Sequence, residues 1–153
     1  MRLVFRVEKL SAIKDEVLPL IAAHHEEIEQ STIPLDPDWE TYETLEEQGM
    51  YLAITARCGQ TFALAGYAGF YLLPRMPHSK DRSLAQSDVF YIKPEARKGI
   101  NGVRMLRFAD SVLFGDMAYT HVALSCKVNH STEALFRRLG YRPIEATFLK
   151  GVD

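Results

Sequence analysis

Three observations predict a mixed α/β fold of the α+β kind, with helices against the faces of one mixed sheet. The apolar period switches between strand-like alternation and helical spacing in the order β-α-α-β-β-β-α-β-α-β. Two neighbouring strand-like segments, 51–57 and 61–73, are joined by a short turn, so part of the sheet is antiparallel and a simple doubly wound fold is excluded. The chain has 153 residues, 47% of them hydrophobic and 25% charged. That suffices for one domain over 1–153 with its own core and no metal or disulfide staple.

The elements follow in order. Leu3, Phe5 and Val7 alternate with Arg6 and Glu8, predicting a first strand over 2–8. From Ser11, a reasonable N-cap, Ile13, Val17, Leu20, Ile21 and Ile28 fall at helical spacing, with Pro19 set to kink or divide the helix. Two prolines break the pattern over 30–37, after which Asp38 caps a second helix that Gly49 stops. Tyr51 to Arg57 and Thr61 to Leu73 form a hairpin about Cys58-Gly59-Gln60. Residues 74–87, with two prolines and Arg75, His78, Lys80, Asp81 and Arg82, read as a long surface loop. A strand over 88–93 ends at Pro94, and a helix runs from about Asn101 to Phe114. A strand at 121–127, a helix at 131–139 closed by Gly140, and a last strand at 144–150 complete the chain.

Composition narrows the function. Lysine plus arginine is 18 against 20 acidic residues, a formal charge of −2. A protein that binds nucleic acid mainly through its backbone needs a concentrated basic face, so no nucleic-acid partner is expected. Cys58 and Cys126 lie far apart with no second ligand at metal spacing, which points to no metal site and to a reduced, cytoplasmic setting. No apolar run approaches the roughly 20 residues of a membrane span, and the opening residues carry charge too early for a signal peptide. No membrane partner is expected.

The sharpest local feature is the junction from Asp88 to Leu106. A strand delivers the chain to a turn containing Gly99 and Gly102, and the next helix aims its free N–H groups and positive dipole end at that turn. Arg97 and Lys98 add charge suited to a diphosphate. The same stretch also fits an ordinary glycine-containing turn with solvated basic residues.

The order of elements together with this junction resembles the GNAT superfamily of acetyl-CoA-dependent N-acetyltransferases over nearly the whole chain. The family signature after the fourth strand reads Arg or Gln, two residues, Gly, one residue, then Gly or Ala, with a proline upstream. Pro94, Arg97 and Gly102 match in position, whereas Ile100 stands at the first glycine, which has moved to Gly99. A second block, Asn129 to Tyr141, is similar to the family's Asn-headed helix ending in Leu-Gly-Tyr. Asparagine before a helix and glycine after one are also common caps.

The resemblance implies transfer of an acetyl group from acetyl-CoA to a primary amine. The donor would lie on Tyr91, Ile92, Arg97, Lys98, Gly99, Ile100, Asn101, Gly102, Val103, Asn129 and Phe136, with main-chain contacts at Ile92. Asp88 is the candidate base; four residues before Ile92, regular alternation would point both side chains the same way. It also reads as a strand-starting residue that faces water. The family's usual acid tyrosine is replaced by Phe136, which has no proton to give. Tyr141, Ser131 or bulk water would then protonate the thiolate. Many members pair as homodimers, so the resemblance implies a homodimer as one arrangement.

Acceptor recognition would come from the loops 29–38 and 74–87. Glu29, Asp36 and Asp38 suit a cationic amine, and Arg75, Lys80 and Arg82 an acidic acceptor. Trp39 and Tyr42 either line that pocket or pin their helix to the sheet. His24-His25-Glu26-Glu27 reads as a solvated helix face rather than a metal site, and Cys126 as packing on an interior strand. Phe136 and the shifted glycine also fit a rival reading, a protein of this fold that binds acyl-CoA or a protein partner without catalysis.

Overall fold

The computed structural model describes residues 1–28 and 33–151. Glu29, and with it the start of the first proposed acceptor loop, lies outside the described residues. Five strands form one mixed sheet in the order β1-β2-β3-β4-β5: β1 (Leu3–Val7), β2 (Tyr51–Cys58), β3 (Leu64–Leu73), β4 (Leu84–Ile92) and β5 (His121–Ala123). The first three pairings are antiparallel and β4 with β5 is parallel. The helices are α1 (Lys14–Ile28), α2 (Trp39–Glu47), α3 (Asn101–Asp110) and α4 (Glu133–Arg138).

Two apolar layers sandwich the sheet. On one face Ile54, Ala68, Phe70 and Ile92 pack beneath Met105, Ala109 and Leu113 of α3 and the π turn that extends it over Ser111–Asp116. On the other, Val17 and Leu20 of α1 pack with Tyr51, Tyr67 and Tyr91 of the strands. β2 is buried along its whole length, and its two polar residues are partnered there, Thr55 by Glu8 and Arg57 by Glu8 and Glu16.

Several boundaries differ from the sequence reading, each for a tertiary reason. Ser11 does not cap α1; it opens a 3₁₀ turn, and the buried Glu46 of α2 accepts from the Leu10 N–H at 2.6 Å and from the Ser11 hydroxyl. A side chain from a distant helix thus satisfies the orphan donors of this one. Pro19 neither divides nor ends α1. Asp38 caps α2 as expected, accepting from Thr41 N at 3.0 Å, and Gly49 follows with φ +68°. β4 starts four residues before the expected strand because Leu84 to Ser87 pair with β3, and Ser83 and Thr120 exchange hydrogen bonds of 2.8 and 3.0 Å beside the parallel ladder.

The sixth strand expected at 144–150 is not formed. β5 stops at Ala123 rather than running to Lys127, which leaves only a three-residue outer edge for a further strand to join. Ile144, Phe148 and Leu149 accordingly stand 74, 92 and 76% exposed. Cys126 falls beyond β5 and is exposed, not packed within a strand.

Candidate active site

The site begins where β4 and β5 part. They pair only through Leu84–Gln86 and His121–Ala123, with a last link from Ser125 N to the Ser87 hydroxyl at 2.8 Å. Past that link the gap widens into a cleft of about 540 Å³. Phe90, Tyr91 and Ile92 of β4 form one wall with Gly102 and Val103 of α3, while His130, Thr132 and Leu135 face them from the β5–α4 side.

At one end stands the first turn of α3. Arg104 N is the first to bond back, to Ile100 O at 2.9 Å, so the N–H groups of Asn101, Gly102 and Val103 have no acceptor within the helix. Gly99 supplies the left-handed residue of the turn, φ +76°, with open space where a Cβ would stand. The displaced glycine is therefore used, and Ile100 follows it at the ordinary φ of −111°. Gly102 borders the cleft, and a Cβ there would meet Leu135 at 3.5 Å, an ordinary contact.

Arg97 is not a freely offered charge. Its guanidinium forms a two-point pair with Glu27 of α1 at 2.7 and 2.6 Å, and its Nε donates to the Ile92 carbonyl at 2.6 Å. His130 Nε2 also lies 3.2 Å from the Glu27 carboxylate, so one carboxylate ties α1 to both walls. The hydrogen bond from Arg97 holds the Glu27 carboxyl below the usual range. An acidic side chain thus sits where an anionic ligand would be drawn, and the Ile92 carbonyl already has a donor.

Asp88 lies on the same strand, β4, but is not among the residues that border the cleft. Gly69 pairs with Val89 and Phe70 with Ser87, which leaves Asp88 as the extra residue of a β-bulge. The bulge shifts the alternation by one place. Asp88 consequently turns to the α1–α2 face, where the Tyr51 hydroxyl donates to it at 2.8 Å, while Ile92 faces α3. The expectation that the two share a face is corrected by that extra residue. Tyr51 reaches Asp88 across Gly69, where a Cβ would lie 1.9 Å from the phenol oxygen. Tyr42 and Tyr71 stand edge-on to Tyr51, each with ring centroids 5.2 Å away. Desolvation by these rings raises the Asp88 carboxyl above the usual range, opposed by the hydrogen bonds of Tyr51 and Tyr42. Its side chain still opens to solvent, and none of the ion pairs among the described residues involves it.

Of the residues singled out from sequence, Tyr91, Ile92, Arg97, Gly99, Gly102 and Val103 border the cleft. Lys98 and Ile100 are exposed beside it, and Asn129 is exposed in the turn before His130. The Asn101 side chain is buried in a structural role, donating to Ala96 O at 2.9 Å and Met1 O at 3.2 Å. Phe136 is buried and is not among the residues bordering the cleft. Tyr141 is likewise not in the cleft wall; its hydroxyl donates to Asp110 of α3, which with burial pushes the phenol's pKa up. As the acid in the cleft it is corrected by that tie. Conversely, α1 contributes His24 and Glu27 to the cleft, although 24–27 read as a solvated face. His24 is only 9% exposed.

No protein-family model and no curated protein matches the sequence. Solved structures do. The chain is similar to an aminoglycoside acetyltransferase from an uncultured soil metagenomic sample at TM-score 0.76 and 16% identity, with 100% of each chain covered. It is similar to a ribosomal-protein-alanine N-acetyltransferase from Brucella melitensis at TM-score 0.74 and 18% identity, covering 99% of this chain and 100% of that one. A predicted acetyltransferase from Clostridium acetobutylicum, crystallised with acetyl-CoA, aligns at TM-score 0.71 and 11% identity over 98 and 96% of the two chains. At such identities the likeness establishes the fold. This chain has the acetyltransferase fold of the GNAT type.

Proposed function

We propose that this protein is an N-acetyltransferase that moves the acetyl group of acetyl-CoA to a primary amine by direct attack. One observation carries the reading: a cleft opened by strand splay is closed at one end by the unpaired helix N-terminus at Gly102, and the cation-free carboxylate of Asp88 stands on the same strand, two residues before the cleft residue Phe90. The fit to the donor is physical as well as topological. The amide groups of Asn101 to Val103 suit a diphosphate, and the apolar wall of Phe90, Tyr91 and Leu135 suits a pantetheine arm. The neighbours of the same fold named for ribosomal-protein-alanine, aminoglycoside and glucosamine-6-phosphate acetyl transfer support an amine as acceptor.

An ammonium entering beside Asp88 meets a carboxylate held by two phenols, and its pKa, raised above the usual range, suits it to accept a proton. The amine nitrogen then bonds to the acetyl carbon and gives its second proton to solvent as the carbon–sulfur bond breaks, and the thiolate leaves with the electron pair of that bond. Its proton comes from solvent, because Phe136 is buried and Tyr141 is committed to Asp110. A thiolate is a weak enough base for water to serve. The absence of any helix long and apolar enough to cross a membrane among the described residues, and the free thiols of Cys58 and Cys126, fit the cytoplasmic setting of such an enzyme.

The reading is tested by incubating the protein with acetyl-CoA and a panel of amines while following thiol release. Amine-dependent release supports it. Saturable donor binding with no release across the panel would favour the non-catalytic acyl-CoA binder.

A further inference from the structure

His24 is held in a way that neither helix packing nor solvation of α1 requires. Its ring stacks on Tyr91 with centroids 4.8 Å apart and planes 26° from parallel, inside the cleft wall. Its Nδ1 lies 3.2 Å from the Tyr67 hydroxyl. Tyr67 is 1% exposed, and His24 is the one hydrogen-bond partner found for that hydroxyl among the described residues. A phenol proton left without an acceptor in the core carries its full desolvation penalty, so Tyr67 donates and Nδ1 accepts. The ring is neutral at pH 7, since burial pushes its pKa down to about 4. A neutral imidazole that accepts at Nδ1 carries its proton on Nε2.

The destination of that proton follows from accounting. Among the described residues every buried side-chain nitrogen and oxygen has a partner, and no hydrogen bond engages Nε2. Nε2 therefore reaches accessible space, and the space that His24 borders is the cleft. Along β4 the ring lies over Tyr91, between the α3 N-terminus that would take the donor's diphosphate and Asp88 where the amine would arrive. A donor lying along the cleft from the α3 N-terminus presents, as acceptors along its arm, the carbonyl oxygens of the thioester and the two pantetheine amides beside the weaker pantoic hydroxyl.

We infer that His24 is a donor-binding residue whose Nε2–H hydrogen-bonds a carbonyl oxygen of the acyl donor, with Tyr67 as the positioning residue that fixes its tautomer. This rests on the donor site proposed above. The role needs both members: the imidazole for the bond and the buried phenol to aim the proton outward.

The test uses His24→Phe, which keeps the stack on Tyr91, and the double variant His24→Phe with Tyr67→Phe, which avoids leaving the phenol orphaned. Thermal melts establish that each is folded. Calorimetric titration with CoA and with acetyl-CoA is paired with isotope-edited infrared spectra of bound [1-¹³C]acetyl-CoA. The expected result is donor affinity reduced about five- to tenfold in both variants. A lower carbonyl stretch in the parent protein than in the variants assigns the bond to the thioester. An equal loss of affinity for CoA and acetyl-CoA with an unmoved stretch assigns it to a pantetheine amide, which also supports the inference. Unchanged affinity and an unchanged stretch in folded variants overturn it and leave the donor site standing. Failure of the parent protein to bind either ligand overturns the donor site and the inference together.

Discussion

The two long walls of the cleft are built in opposite ways. The β4–α3 wall is one contiguous stretch, Phe90 to Val103, whose strand, turn and helix N-terminus are dictated by neighbouring residues. The facing wall is assembled from α1 and the residues about α4, with Tyr67 of β3 behind His24, and the setting of Asp88 from tyrosines of β2 and α2, all distant in sequence. The contiguous wall presents backbone donors to a ligand. In the proposed reaction the assembled side would supply the groups whose charge and protonation act on that ligand. Local chain geometry can make a binding surface, but the placed acids, bases and tautomers come from tertiary packing.

Substitutions can break each wall separately. Gly102→Glu should have the largest effect. A Cβ at that position makes only ordinary contacts, so the fold survives while a carboxylate fills the α3 N-terminus. Donor binding should become undetectable by calorimetry, with the melting temperature of the free protein little changed. Asp88→Asn attacks the assembled end. The amide still accepts from Tyr51 but takes no proton, so donor affinity should be kept while the rate of amine-dependent thiol release falls about 100-fold or more. A rate equal to that of the parent would remove Asp88 from the chemistry.

Acid should weaken the assembled wall first. His24 has a folded-state pKa of about 4 against an ordinary value of 6.5. The unfolded chain therefore binds a proton there that the folded chain refuses, and stability falls as pH drops through that window. The loss is on the order of 3 kcal/mol across the whole window. Glu8, Glu16 and Glu27, whose folded pKa values are lowered, lose their contribution only at lower pH, below their ordinary 4.5. Urea melts at pH 7 and pH 5 should show the parent losing stability that His24→Phe retains.

The smallest expected effect is a gain. Glu27 occupies Arg97 through a pair whose side chains are 38 and 24% exposed, a setting in which such a pair contributes about 1 kcal/mol or less. Glu27→Gln removes a negative charge from beside the donor's anionic end and releases Arg97 to it. Acetyl-CoA should bind about three- to fivefold more tightly, as read by calorimetry, and weaker binding would show that Glu27 supports the wall instead of competing with the ligand.

The same contrast explains what the sequence disclosed. The Gly99–Gly102 turn and the Asp38 cap were legible because each depends on residues a few places apart. The bulge at Asp88 was not, since a shift of pairing between Gly69 and Phe70 leaves no mark on the alternation of β4 read alone. His24 and Glu27 read as solvated because the helical period shows one apolar face of α1, and the second contact face exists only once β4 and β5 separate. Residues 144–150 alternate as a strand should, yet an alternating pattern specifies a face and not a partner.

The proposed donor site is the splayed cleft, centred on the α3 N-terminus. Calorimetric titration of the parent protein and of Gly102→Glu with acetyl-CoA, side by side, tests it most directly. The expected outcome is saturable one-site binding in the micromolar range for the parent and none for the variant. Equal binding by both, or no binding by the parent at millimolar donor, would contradict it.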